Sequence, residues 1–400
     1  MPIYHTLGTV PRKRHTVFRK PDGGLYSEEL MGHEGFIGTS SLLYHTHAPT
    51  TVKSAKRVRT VTWEKDDDTS LRHRHFLTAK ANKGGSPTLD RMPILFNRDI
   101  GMLYAEPDRV DDHFYRNSQA DEVVYVVEGK GVLESVFGEL PYQSGDYIVI
   151  HRNITHRWRM DTTAAGATKM LVFESRGHVR WPKRYRNDFG QLLEGAPYCE
   201  RDIRRPSELK PHDEKGDFPV LVKQYDAINE LVLDHHPFDV VGWDGYFYPW
   251  AFSIHDFEPI VGRIHQPPPV HQTFQGDGFV ICSFCPRPYD FDPDAIPAPY
   301  NHSNVDSDEV LFYASSEFMS RKGIEYGSIT HHPDGLPHGP HPGRYEASVG
   351  QKYTKELAVM MDSFRPLYVA KPALSIEDPK YHQSWIEGGP QGEGFAPPTS

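Results

Sequence analysis

Between residues 121 and 150, the sequence alternates short apolar runs with glycine turns. Val123–Val127 is an apolar run, Gly129 and Gly131 follow it, and Asp146–Ile150 is a second run after a Ser-Gly turn. Runs of about five residues rich in Val, Ile and Tyr favour strands over helices. The whole chain of 400 residues is punctuated in this way, with 33 Gly and 34 Pro. We therefore predict a mostly β protein, a jelly roll whose sheets pack face to face around a central pocket.

The pattern around residue 121 recurs in the second half of the chain. Tyr115–Glu122 in the first copy corresponds to His302–Glu309 in the second, and each ends in an Asp-Glu-Val step that runs into an apolar segment. A further histidine follows each copy, His156 in the first and His338 in the second. This duplication predicts a bicupin, a protein with two cupin-like jelly-roll β-barrels or sandwiches.

The two copies differ at the position that matters most for metal binding. The first copy has Tyr115 where the second has His302, so that the first has lost one imidazole. We predict an N-terminal β domain over residues 1–250, which contains a degenerate barrel and a long connecting segment. The C-terminal domain, over residues 251–400, is predicted to hold the metal, and the glycine-rich residues 388–394 are predicted to be a tail.

The predicted metal ligands are His302, Glu309 and His338. Two imidazoles and one carboxylate form a facial triad that leaves coordination positions open for substrate and oxygen, and this ligand set suits Fe(II), Mn(II) or Zn(II). Asp308 is a competing carboxylate. Successive residues of a strand face opposite sides, so only one of the two acidic side chains can point into the barrel. The match with Glu122 of the first copy favours Glu309.

Charge and cysteine content exclude several classes of protein. The formal net charge of -10 argues against nucleic acid or an anionic membrane as the main partner, because both attract a positive surface. No apolar stretch has the length of a transmembrane helix or resembles a signal peptide, so we expect a cytoplasmic protein. Cys199, Cys282 and Cys285 are too few for a disulfide framework, and the latter two are predicted to be buried strand residues.

Four motifs resemble the homogentisate 1,2-dioxygenase family. They are Ser40–Tyr44, Pro237–Gly245, Tyr300–Asn304 and Leu336–Pro340. The Phe-Asp-Val-Val-Gly-Trp and Pro-His-Gly-Pro sequences within them are specific to that family rather than to cupins at large. The resemblance implies that the iron-binding histidines are the two of the predicted triad, and that its glutamate is the carboxylate ligand.

The resemblance also implies roles for residues around the metal. His265 precedes three consecutive prolines and falls at the position of the family's active-site histidine, where an imidazole can accept a proton from a substrate hydroxyl. His332 and Asn304 match residues of the substrate pocket. The family's active-site tyrosine has no clear counterpart, and Tyr313 is one candidate for that substrate contact.

The activity implied by the resemblance is ring cleavage. An Fe(II)-dependent dioxygenase of this family opens the aromatic ring of homogentisate with O2 to give 4-maleylacetoacetate, in tyrosine and phenylalanine catabolism. Its partners would be a small aromatic acid and O2, and the resemblance implies a homo-oligomer, a trimer or a hexamer. Two alternatives stay open: a gentisate-type or other hydroquinone-acid dioxygenase, and a non-redox metal-binding cupin that acts as an isomerase or binding protein.

Overall fold

A computed structural model describes residues 3–161, 168–315, 320–321 and 323–386. The chain divides into two compact units. The first unit comprises residues 1–62, 83–91 and 105–253, and the second comprises residues 63–82, 92–104 and 254–400. Strands dominate both units, which confirms the prediction of a mostly β protein.

The first unit contains a four-stranded sheet, a seven-stranded sheet and a further run of four paired strands. The four-stranded sheet has the order His5–Gly8, Val240–Gly245, Ser40–His45 and Ser27–Gly32. The seven-stranded sheet has the order Gly138–Gln143, Lys130–Ser135, His156–Met160, Phe114–Asn117, Lys215–Gln224, Ala227–His235 and Val52–Thr60. The further run has the order Trp250–Ser253, Asp146–Ile150, Asp121–Glu128 and Lys169–Ser175.

The strand Asp121–Glu128 lies at the centre of its run and is buried along almost its whole length. It pairs on one side with Asp146–Ile150 and on the other with Lys169–Ser175. A strand covered on both faces tolerates apolar residues at every position, which explains its near-continuous Val and Tyr content. Its first two residues, Asp121 and Glu122, are the buried acidic exceptions.

The second unit is built around a six-stranded sheet. Its order is Gln272–Gly276, Phe279–Phe284, Ala358–Ser363, Asp308–Tyr313, Ser328–His332 and Arg74–Leu77. A second run has the order Ile100–Ala105, Met92–Phe96 and Tyr368–Val369, and a two-stranded sheet joins Arg287–Pro288 to Tyr353–Thr354. The predicted core cysteines, Cys282 and Cys285, are buried and free.

Helices are few and short in the described residues. The α-helix is Arg344–Ser348. The 3-10 helices are Glu34–Phe36, Thr78–Lys80, Lys183–Tyr185, Glu200–Asp202, Ile254–Asp256, Pro268–His271, Lys371–Ile376 and Tyr381–Gln383. Within the described part of the chain, none of them has the length and apolarity needed to cross a bilayer. The predicted tail at residues 388–394 lies outside the described residues.

Segments from the first hundred residues contribute to the second unit. Arg74–Leu77 pairs antiparallel with Ser328–His332, and Met92–Phe96 pairs with Tyr368–Val369. The sequence analysis assigns all of residues 1–250 to one domain, whereas residues 63–82 and 92–104 belong to the second unit. Strand pairing between residues far apart in the chain is the reason, because such pairing leaves no local pattern in the sequence.

Candidate metal centre

His302 and His338 are held side by side by their own backbones. The N–H of His302 donates to the carbonyl of His338 at 2.8 Å, and the N–H of His338 donates back at 2.9 Å. Gly339, which follows His338, is closely approached by Asn301. A Cβ at Gly339 would lie 2.8 Å from the Asn301 Cα and 2.0 Å from its Oδ1. The glycine of the Pro-His-Gly-Pro motif is therefore required for this bridge to form.

Glu309 faces both histidines from the start of the strand Asp308–Tyr313. Its Oε2 lies 3.5 Å from Nε2 of His302, and its Oε1 lies 3.3 Å from Nε2 of His338. One potential ligand atom from each of the three residues lies within 4.8 Å of the others. Glu309 and His338 are buried, and His302 is half-buried. The structure thus brings the three predicted ligands together, in an arrangement able to hold a divalent transition metal.

The two histidines are oriented so that their Nε2 atoms are available to a cation. Nδ1 of His302 donates to the carbonyl of Tyr300 at 3.1 Å, and Nδ1 of His338 donates to the carbonyl of Leu336 at 3.4 Å. Because a carbonyl only accepts, each Nδ1 must carry a proton, so the neutral form of either ring has its lone pair on Nε2. Nε2 of His338 is buried and makes no hydrogen bond of good geometry with the residues that the structure describes. An orphaned buried nitrogen of this kind fits a metal ligand.

The surroundings of Glu309 keep it ionised. Burial by itself would raise the pKa of the carboxyl, but the three surrounding imidazoles of His302, His332 and His338 hold that pKa well below its usual range. The pKa of Asp362, which lies opposite Glu309 on the neighbouring strand, is shifted in the other direction. Burial and the negative charge of Glu309 raise the pKa of Asp362 to about 8. Glu309 is therefore the carboxylate and Asp362 the carboxylic acid of this pair at neutral pH.

Asp308 points away from the two histidines. It accepts hydrogen bonds from Nε2 of His331 at 2.9 Å and from the backbone N–H groups of Asp334 at 2.9 Å and Leu367 at 2.8 Å. These bonds tie three segments of the second unit together. The competition between the two acidic residues is thus decided by strand alternation, and Glu309 is the one that faces His302 and His338.

A second layer of side chains supports the triad. Nδ1 of His332 donates to Oε1 of Glu309 at 2.8 Å, and its Nε2 lies 3.4 Å from the hydroxyl of Tyr381. The ring of His332 stacks on that of His338, with centroids 4.6 Å apart. His332 is fully buried. This position makes it a group that orients Glu309, and its predicted contact with substrate stays a prediction.

His73 is a nearby histidine that the sequence analysis missed. Its ring centroid lies 5.5 Å from that of His332, 6.1 Å from that of His338 and 4.6 Å from that of Trp385. Burial, together with His338, lowers the pKa of His73 to about 4. The residue lies next to the strand Arg74–Leu77, which reaches this sheet from more than two hundred positions away. No local sequence signal could have placed it here.

A cavity of about 180 Å³ opens on Glu309 and His302. Its walls include apolar side chains such as Leu311, Phe284 and Met360. The polar residues that line it include His265, His271, Arg287, Ser320 and Arg321. A largely apolar pocket with a few converging polar groups is the usual form of a small-molecule site.

The structure places the remaining predicted residues at different depths. His265 lines this cavity, is half exposed, and has its Nδ1 3.8 Å from Oδ2 of Asp290. Asn304 is half-buried in the loop between His302 and Glu309. Tyr313 is fully buried in a cluster with Tyr381, and its hydroxyl lies 3.1 Å from that of Thr330. Their predicted substrate contacts stay predictions.

Arg321 is a further residue that the sequence analysis missed. It is buried, it donates to the backbone carbonyl of Gly339, and within the described part of the chain its Nε has no hydrogen-bond partner. Its guanidinium lies over the ring of Trp385, 5.7 Å from the centroid. Among the described residues it has no carboxylate within ion-pair distance. The cavity thus presents a buried positive charge close to Glu309, without an acidic partner among the described residues, and a single arginine in a loop carries no pattern that would reveal this.

The first unit repeats the backbone arrangement of the candidate metal centre, but an arginine lies beside its glutamate, where the second unit could hold a metal. Tyr115 pairs with His156 just as His302 pairs with His338, and Glu122 stands at the position of Glu309. Nη1 of Arg91 lies 2.9 Å from Oε2 of Glu122, and both residues are fully buried. Burial would raise the pKa of Glu122, but Arg91 and His156 lower it. The guanidinium supplies here the positive charge that a metal would supply in the second unit.

Comparison with known proteins gives three kinds of match. A family sequence model described as "Homogentisate 1,2-dioxygenase N-terminal" matches residues 97–254. A protein of Saccharolobus solfataricus named "Putative dioxygenase" is 41% identical over 388 residues, which cover 96% of this chain and 99% of that protein. A cupin 2 conserved barrel domain protein from Leptotrichia buccalis aligns over 77% of this chain and 100% of its own, with 11% identity and a TM-score of 0.33.

More distant relatives carry the name homogentisate 1,2-dioxygenase. The protein of Bradyrhizobium diazoefficiens is 24% identical over 69% of this chain and 63% of its own length. The protein of Oryza sativa subsp. japonica is 24% identical over 71% of this chain and 63% of its own length. The matches therefore span less than two thirds of these two proteins.

Proposed function

Because the chain belongs to the homogentisate 1,2-dioxygenase family, we propose that it is an Fe(II)-dependent dioxygenase that opens the ring of homogentisate with O2. The product would be 4-maleylacetoacetate, in tyrosine and phenylalanine catabolism. The observation that carries the proposal is the convergence of His302, Glu309 and His338 on a cavity that also presents His265 and Arg321. A homo-oligomer, a trimer or a hexamer, is part of the proposal.

The triad would hold the iron through Nε2 of His302, Nε2 of His338 and the carboxylate of Glu309. When bound, Fe(II) supplies open coordination positions for substrate and O2 and a route for electrons between them. His332 keeps Glu309 oriented through its Nδ1–H, and the carbonyls of Tyr300 and Leu336 fix the two ligand rings. Such outer hydrogen bonds set the direction and basicity of metal ligands.

The cavity suits one substituted aromatic ring. A dry cavity of about 150 Å³ is large enough to bind benzene, and the cavity beside Glu309 measures about 180 Å³. Its apolar walls, which include Leu311 and Met360, would cover the faces of a ring and keep water away from it. This size favours a single-ring substrate over a fused or extended one.

Arg321 would bind the carboxylate of an aromatic acid. Its guanidinium is buried and has no acidic partner among the described residues, so that it lacks the charge-assisted hydrogen bonds that a carboxylate provides. A substrate carboxylate beside Arg321 would place the ring between this residue and the triad. The requirement for an acid, rather than a neutral phenol, follows from this one buried charge.

His265 would accept the proton of a ring hydroxyl. Its imidazole and Glu309 line the same cavity, and its Nδ1 lies 3.8 Å from Oδ2 of Asp290. An imidazole within reach of a phenol hydroxyl is a suitable general base, and the neighbouring carboxylate stabilises the imidazolium that results. Partial exposure of His265 allows the proton to pass on to solvent.

The test is oxygen uptake by the reconstituted enzyme. Metal-free protein is loaded with Fe(II) under anaerobic conditions, mixed with homogentisate or gentisate, and followed with an oxygen electrode and by the absorbance of the ring-opened product. We expect one O2 consumed per homogentisate. Oxygen uptake with gentisate but not with homogentisate would identify gentisate as the substrate instead. No uptake with either acid would overturn the dioxygenase proposal. The variants His302→Ala and His338→Ala are controls that should bind no iron at this centre.

A further inference from the structure

A second cluster of histidines surrounds Asp121 in the first unit. Ligand atoms of His33, Asp121, His151 and His178 all lie within 4.8 Å of one another. The ring centroids of His33 and His178 are 3.9 Å apart, and those of His151 and His178 are 4.7 Å apart. Three imidazoles packed around one buried carboxylate form a ligand set that borderline divalent metals prefer.

Part of this cluster has a structural explanation. Asp121 occupies the repeat position of Asp308, and the two residues do the same work in their own units. Asp308 accepts from one histidine and from two backbone N–H groups. Asp121 likewise accepts from Nδ1 of His151 at 2.8 Å and from the backbone N–H groups of Arg152 and Val179 at 3.0 Å each. Asp121 and His151 thus need no ligand to account for them.

His33 and His178 are not explained in this way. Nδ1 of His178 lies 3.1 Å from Oδ2 of Asp121, on an oxygen that already accepts two other hydrogen bonds. Among the described residues, Nε2 of His33 is buried without a hydrogen-bond partner, and its Nδ1 has a single contact, at 3.5 Å, with the hydroxyl of Thr39. A buried polar nitrogen without a partner costs free energy unless something binds it. The cluster therefore has one more imidazole than its hydrogen bonds use.

His151 is excluded as a ligand by its own hydrogen bonds. Its Nδ1–H donates to Asp121, and its Nε2 accepts from Nε1 of Trp250 at 3.3 Å. Binding a metal through Nδ1 would move the ring proton to Nε2, where it would face the N–H of Trp250. His151 is therefore a positioning residue that holds the carboxylate of Asp121 in place.

We propose that His33, Asp121 and His178 bind a divalent transition metal, with Zn²⁺ the best match, at a site separate from the triad. Two imidazoles and a carboxylate suit Zn²⁺ in tetrahedral geometry, with water as the fourth ligand. Binding through Nδ1 of His178 would replace its hydrogen bond to Asp121 and move the ring proton to Nε2. A cavity of about 400 Å³ that is lined by His33 and His178 offers the metal an entry path and room for that water.

The proposal is tested by metal stoichiometry in a protein that lacks the triad. The double variant His302→Ala/His338→Ala is dialysed against Zn²⁺ and analysed by elemental mass spectrometry, with and without His33→Gln/His178→Gln. We expect about one equivalent of Zn²⁺ in the first protein and at least a tenfold lower occupancy in the second. Absence of Zn²⁺ from the first protein would overturn the proposal, and so would equal zinc content in the two.

A second measurement keeps the test decisive if the triad variant does not fold. The single variant His33→Gln of the otherwise unaltered chain should bind one equivalent of metal where the unaltered chain binds two. When Co²⁺ is used in place of Zn²⁺, the visible ligand-field band of the ion at this site should be absent from the variant. His212→Gln, which changes an exposed histidine stacked on His236 in the same unit, is the matched control. Unchanged metal content in His33→Gln would reject the site. Oxygen uptake reports on the triad, so the two proposals fail independently.

Discussion

Asp308 and Glu309 are neighbours in one strand, yet their carboxylates serve opposite faces of it. Asp308 accepts from His331 and from two backbone N–H groups, whereas Glu309 lies within 3.5 Å of Nε2 of both His302 and His338. The period of two along a strand enforces this division. One acidic residue holds loops of the second unit together, and the other lies where a metal could bind.

The two neighbours should therefore respond differently to loss of charge. Glu309→Gln should abolish iron binding, because a neutral amide is a poor ligand for Fe(II). Asp308→Asn should retain iron and lower the free energy of unfolding by about 1–3 kcal/mol, since buried donors lose their charged acceptor. Elemental analysis and urea unfolding of both variants provide the measurements. The opposite pattern, with iron lost only from Asp308→Asn, would show that the strand faces are misassigned.

Arg321 should determine the preference for an acid. Charge-assisted hydrogen bonds contribute about 1.5–3 kcal/mol, so Arg321→Met should raise KM for homogentisate by one to two orders of magnitude. A hydroquinone without a carboxylate should bind the variant and the unaltered enzyme equally. Arg365→Met is the matched control, because Arg365 pairs with Asp99 at 2.6 Å and lies outside the residues that line the cavity. An equal loss of affinity for both substrates would exclude carboxylate recognition by Arg321.

His265 should affect turnover without affecting the metal. General base catalysis contributes about 10²- to 10⁴-fold to a rate, so His265→Gln should lower kcat by at least a hundredfold while iron content stays unchanged. The loss should shrink as pH rises, because hydroxide and the ionised phenol replace the base. Steady-state oxygen uptake across a pH series measures both effects. Full activity in His265→Gln would remove the residue from the mechanism.

Arg91 should be essential for the stability of the first unit. Its guanidinium lies 2.9 Å from Glu122 and 3.7 Å from Glu174, and all three residues are buried. Arg91→Met leaves the buried Glu122 without its arginine partner, while Glu174 keeps Lys223 at 2.6 Å, and should cost about 3–5 kcal/mol of unfolding free energy. Adding Glu122→Gln should recover part of the loss, because one of the buried charges is removed. Urea unfolding of the single and double variants gives the comparison; a single variant as stable as the unaltered chain would contradict it.

His45 should make the stability of the protein depend on pH. Burial by itself would lower its pKa, but Asp239 and Glu29, at 2.7 and 3.1 Å from its ring nitrogens, raise the pKa to about 9. The folded value lies above the unfolded value of about 6.5. The stabilisation is therefore complete below pH ~6.5 and is lost as the pH rises through about 9.

Comparison with His45→Gln measures that contribution. The interval between about 6.5 and about 9 corresponds to ~3 kcal/mol, so the stability difference between the two proteins should narrow by about this amount from pH 6 to pH 10. Chemical unfolding at each pH gives the values. His15→Gln is the control, since His15 meets Glu28 at an exposed position. Parallel curves for the His45 variant and the unaltered protein would refute the assignment.

Much of the candidate site could be predicted from sequence because its determinants are local. The Tyr300–Asn304 motif precedes the strand Asp308–Tyr313, and the Leu336–Pro340 motif follows the antiparallel partner of that strand, Ser328–His332. The spacing alone therefore brings the histidines of the two motifs to one end of a sheet. The duplicated Asp-Glu-Val step also indicated which acidic residue faces inward. The mostly β architecture followed from short Val-, Ile- and Tyr-rich runs between glycines and prolines.

What the sequence by itself determined was therefore the strand character of the chain, the duplication, and the triad of His302, Glu309 and His338. Only the tertiary structure decided that Arg91 neutralises Glu122 in the first unit, that His73 backs the triad, and that His33 joins His151 and His178 around Asp121. The physical reason is range. Strand alternation and turn chemistry act over a few residues, whereas these contacts join segments far apart in the chain, where only packing of the whole unit determines the neighbour.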